Sequence, residues 1–99
     1  MILVSAVWIF TPPPRPPAED ELRSLLLRQD QRCSGRLEHV RVHLARGSAR
    51  AVLFLRAGDE ASARSYAHTL WAGVQHCGHP MSAWNMADCS PLRLAPPRT

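Results

Sequence analysis

Residues 37–56 hold two runs that alternate apolar and polar side chains, Leu-Glu-His-Val-Arg-Val-His-Leu-Ala-Arg and Ala-Arg-Ala-Val-Leu-Phe-Leu-Arg, joined at Gly47-Ser48. A period of two sends successive side chains to opposite faces, which is the pattern of a half-buried strand. A Gly-Ser pair between two such runs predicts a tight hairpin turn, because glycine accepts the positive φ that the turn requires. With the turn at Gly47-Ser48, Leu44/Ala51, Val42/Leu53 and Val40/Leu55 pair on one face. Ala45/Arg50, His43/Val52, Arg41/Phe54 and His39/Arg56 pair on the other. One face is apolar and must be covered; the other is basic, with a phenylalanine near its middle.

The rest of the chain supplies the cover. Residues 2–10 are almost continuously apolar and rich in β-branched and aromatic side chains, so they predict a strand in the middle of a sheet. Thr-Pro-Pro-Pro-Arg-Pro-Pro at 11–17 ends that strand, since proline cannot donate to a ladder. It predicts a stiff connector, although such a segment also has the form that docks on SH3-type grooves. Residues 18–33 predict a helix with the stripe Leu22, Leu25, Leu26 and Gln29, widened by Leu27. Glu19, Asp20 and Glu21 in its first turn, with Arg28 and Arg32 near its end, match the helix dipole and read as a solvated face. Gly35 is the expected left-handed residue past its end.

Asp59 predicts the cap of a second helix over 59–77, whose stripe is Ala63, Ala67, Leu70, Val74 and Cys77, flanked by Tyr66 and Trp71. Residues 81–88 predict a last strand, with Ser82, Trp84 and Met86 opposite in face to Met81, Ala83, Asn85 and Ala87. The order β-α-β-β-α-β is that of an α+β, ferredoxin-like split βαβ. Right-handed crossovers then give a four-stranded antiparallel sheet in the order 4-1-3-2 with two helices on one face. Residues 1–90 form this single domain, and 91–99 a loose Pro- and Arg-rich tail.

Composition narrows the function less than the fold. Of 99 residues, 45% are hydrophobic and 20% charged, which is the balance of a folded domain. All twelve basic residues are arginine, and a net charge of +4 permits acidic partners without amounting to a polybasic tract. Three widely spaced cysteines favour reduced thiols over a disulfide framework, and hence a cytoplasmic protein. The apolar start lacks a basic lead-in and a small-residue cleavage site, and is too short to span a bilayer, so no membrane partner is expected.

The candidate binding face is His39, Arg41, His43, Arg50, Phe54 and Arg56. If the open part of the first and last strands is also apolar, the face is greasy over about half its area and invites a partner. The expected function is a non-catalytic interaction module that homodimerises or docks another protein, with Trp8, Trp84, Phe54 and Arg41 as anchors, although the apolar first strand leaves open which face Trp8 takes. The first alternative is RNA binding, with bases stacked on Phe54 and phosphates held by arginine. Arg46-Gly47-Ser48-Ala49 resembles the start of the strand-3 motif of RNA-recognition domains, but Ser48 and Arg50 stand where that motif places aromatics. The second alternative is a small enzyme or ligand-binding protein of the dimeric α+β-barrel kind, with a cavity between sheet and helices. No nucleophile elbow or phosphate loop is present, so no catalytic residue or cofactor is assigned. His76-Cys77-Gly78-His79 is the most metal-like stretch, yet zinc needs more ligands than it offers, and no metal is expected there.

Overall fold

The apolar run at the start of the chain forms a central strand, β1 (Ile2–Ile9). A computed structural model describes residues 1–11, 18–76 and 84–92. After β1 come α1 (Glu19–Arg32), β2 (Leu37–Ala45), β3 (Ser48–Leu55), α2 (Glu60–His76) and β4 (Asn85–Pro91). Most of the proline-rich connector at 11–17, the tail beyond Leu92, and Cys77 and His79 lie outside the described residues. The sheet order is β2-β3-β1-β4, with every neighbouring pair antiparallel, as the split βαβ pattern requires.

Helix α1 packs over β2, and α2 over β1 and β4, both on one face. Their stripes meet Val4, Ala6 and Trp8 of β1, Val40 and Val42 of β2, and Ala49, Ala51, Leu53 and Leu55 of β3. Ala63 and Ala67 put little side chain between α2 and the sheet, leaving the space to the large indoles of Trp8 and Trp71. The rings of these two lie 4.9 Å apart and tilted by 49°. Asp59 caps α2 as expected, its Oδ1 accepting the Ser62 N–H at 2.7 Å. That bond holds the Asp59 carboxyl below its ordinary range.

The hairpin turn falls one residue earlier than the sequence suggested. Arg46-Gly47 form the loop, between the partners Ala45 and Ser48. Gly47 has φ 76°, a conformation free only to glycine, and its carbonyl accepts the Phe10 N–H at 3.0 Å, fastening the loop to the end of β1. Pairing therefore moves by two positions. Val40 faces Leu53, Val42 faces Ala51, His39 faces Phe54 and His43 faces Arg50. A two-residue shift leaves every side chain on its expected face and changes only its neighbours.

The last strand runs Asn85–Pro91, past the expected end at Asp88, while Met81, Ser82 and Ala83 of the expected run lie outside the described residues. Between β1 and β4 the register shifts: Val7 faces Asp88 while Trp8 faces Met86, so Ala87 is an extra, unpaired residue. Met86 and Cys89 consequently both turn toward the helices, where simple alternation would separate them. Trp84, just ahead of the strand, stacks on Phe10 with ring centroids 3.9 Å apart. Pro91 is accommodated because β4 is an outer strand and the proline sits at its end.

Asp30 has no place in the stripe expected for α1, yet it is buried. It is the buried charged side chain of the described core, 5% exposed near the end of α1. One carboxylate oxygen accepts the backbone N–H groups of Arg36 and Leu37, each at 3.0 Å, together with the Tyr66 hydroxyl. The Tyr66 oxygen in turn accepts the Ser34 N–H at 3.2 Å. Gly35, at φ 65°, donates its N–H to the Asp30 carbonyl and ends the helix. Burial, and then the bond to Asp30, push the Tyr66 phenol above its usual value of 10.0. Because the folded-state pKa is raised, the contribution of Tyr66 is complete below its unfolded pKa and is lost as pH rises through the folded value. Tyr66→Phe is expected to flatten the loss of stability above pH 10, read from denaturant midpoints across the alkaline range. A decline as steep as in the parent protein would assign the alkaline transition to another group.

Candidate functional site

The face of the sheet away from the helices is a grid of four rows, read across β2, β3, β1 and β4. The first row is His39, Phe54, Leu3 and Leu92, the last placed by its N–H bond to the Leu3 carbonyl at 2.8 Å. The second is Arg41, Val52, Ser5 and Ser90. The third is His43, Arg50, Val7 and Asp88, and the fourth Ala45, Ser48, Ile9 and Asn85.

Five of the six expected binding-face residues, His39, Arg41, His43, Arg50 and Phe54, come together on the β2–β3 half of this grid. His39 stands edge-on to Phe54 at 5.2 Å between ring centroids. Arg56 is brought to the margin instead. Its Nε pairs with Glu38 at 3.2 Å and its Nη2 donates to the Gly35 carbonyl at 2.9 Å. The pairing follows from a bulge in β2: His39 faces Phe54 and Leu37 faces Leu55, which leaves Glu38 unopposed and turned toward Arg56.

The apolar half of the face is narrower than expected. The central strands carry it through Leu3, Val7, Val52 and Phe54, all half-buried, and Ile9, which is 56% exposed. On β4 the open side presents Asn85, Asp88 and Ser90, because the strand begins later than alternation implied and bulges at Ala87. Trp8 and Trp84, expected as surface anchors, are both buried among the core side chains. The face thus has a basic margin on β2, an apolar centre, and a polar margin on β4. That polar margin carries one carboxylate, Asp88, whose Oδ2 accepts the Ser90 hydroxyl at 3.3 Å.

Away from the sheet, a shallow groove of about 540 Å³ lies between the end of α1 and the start of α2, lined by Cys33, Ser34, Arg36, Ser62, Ser65 and Tyr66. Among the described residues no cluster of three or more His, Cys, Asp or Glu side chains could hold a metal ion. Nor is any helix among them long and apolar enough to cross a membrane. No protein-family model, curated protein or solved structure matches this chain.

Proposed function

We propose that this domain is a self-association module, pairing with a second copy through the open face of its sheet. The observation that carries the proposal is the apolar centre of that face, formed by Leu3, Val7, Ile9, Val52 and Phe54 on the two middle strands. Four strands about 4.8 Å apart and eight residues long offer about 500 Å² in projection. Two such faces enclose about 1,000 Å², the size at which a specific interface begins. A second copy fits better than an unrelated protein because the face carries both signs of charge, on opposite margins.

Phe54→Glu is expected to convert a dimer into a monomer, because it removes the aromatic ring from the apolar centre and puts a carboxylate into a surface that must shed its water to pair. Light scattering at low and moderate salt reads this directly. An unchanged solution mass would exclude the face from assembly.

One observation favours a second reading. His39 and Arg41 adjoin Phe54, His43 and Arg50 continue the same half of the face two rows on, and no ion pair holds them among the described residues. Single-stranded RNA could stack a base on the phenylalanine and set phosphates on the arginines. That reading predicts affinity that falls steeply with salt, through release of counterions. The enzyme reading draws less support. Among the described residues the space between sheet and helices is filled by apolar side chains, and the carboxylate that points inward, Asp30, is taken up by backbone N–H groups and Tyr66.

A further inference from the structure

Two like sheets that meet face to face are related by a twofold axis lying in the plane between them, and two limiting directions are available. An axis across the strands lays each strand over its own copy. An axis along the strands, between β1 and β3, lays β2 over the partner's β4 and keeps each row over the same row of its mate. Both directions bring the apolar central strands together, so hydrophobic burial does not choose between them. Charge does.

With the axis across the strands, Arg41 of β2 lies over the partner's His43, and the basic margin meets a copy of itself. With the axis along the strands, the third row, His43-Arg50-Val7-Asp88, is crossed by its own reverse. Asp88 then lies beneath the partner's His43, with the partner's Arg41 and Arg50 one position away. Sheets pack about 10 Å apart, within the joint reach of an arginine and a carboxylate side chain. We infer that the pair forms about the axis along the strands, held in register by Asp88 of each protomer against the basic margin of the other. This rests on the self-association reading and specifies its geometry.

The test uses three forms of the whole chain: the parent, Asp88→Arg, and the double variant Arg41→Glu/Arg50→Glu. The substituted side chains are all exposed, so the fold bears little on the result. Each variant alone places like charges against each other twice across the interface, and is expected to dimerise at least about 30-fold more weakly than the parent. Mixed in equal amounts, the two variants restore opposite charges at both contacts and are expected to form a heterodimer. Sedimentation equilibrium at low salt reads all of these, and recovery in the mixture shows that both variants are folded. If the parent dimerises and Asp88→Arg does so equally well, or if the mixture stays monomeric, the axis is wrong while self-association stands. If the parent itself is a monomer, both fail together.

Discussion

Asp30→Ala is expected to remove about 3 kcal/mol of folding stability, because one truncation strands three donors at once, one of them buried and two partly so. The Leu37 N–H is buried and the Arg36 N–H partly so, and neither has another acceptor in the turn that joins α1 to β2. Tyr66 loses the acceptor for its hydroxyl and so its hold on Ser34. For a domain of this size the melting temperature should fall by roughly 12–20 °C. Asp30→Asn keeps an oxygen able to accept the same bonds while giving up the charge, so about 1 kcal/mol is expected for it. Denaturant midpoints for the two variants distinguish the explanations. If asparagine is as damaging as alanine, the negative charge matters more than the acceptor; if neither is damaging, water satisfies the turn.

Trp8→Ala is expected to cost about 3–5 kcal/mol, since it empties a fully buried indole site on a central strand. Trp8→Phe makes the sharper measurement. The indole N–H groups of Trp8 and of Trp71 are both buried without a hydrogen-bond acceptor among the described residues. Phenylalanine retains a ring against Trp71 and removes one unsatisfied donor, so part of the packing loss is offset. A cost of about 1 kcal/mol or less is expected for Trp8→Phe. A cost near that of alanine would mean that shape at this site outweighs the unpaired N–H.

The hairpin was legible in the sequence because its faces depend on parity alone. Placing the turn at Gly47-Ser48 when it lies at Arg46-Gly47 moved the pairing by two positions, so Arg41, His43 and Phe54 kept their side of the sheet. Phe54 has His39 as its neighbour where the turn at Gly47-Ser48 predicts Arg41. Parity failed where the chain inserts a residue. Nothing in Met-Ala-Asp-Cys announces that Ala87 will be skipped, because a bulge answers to the register of the neighbouring strand. Trp8 could not be assigned a side because the first strand is apolar at almost every position, and only the packed helices distinguish its faces. Asp30 did leave a signal: Leu22, Leu26 and Asp30 recur at four-residue spacing, which continues the buried stripe into the carboxylate. Its role depends on the chain turning back over it at Arg36 and Leu37, a feature of tertiary structure that helical periodicity does not contain.

The two bulges have a shared effect. One lies in β2 at Glu38 and the other in β4 at Ala87, and these are the two outer strands of the sheet. Each breaks the even spacing of backbone groups that an incoming chain would need to zip onto the rim. Ribbon-like growth, strand added to strand, is therefore frustrated on both flanks, and concentrated protein is expected to remain as discrete particles of fixed size.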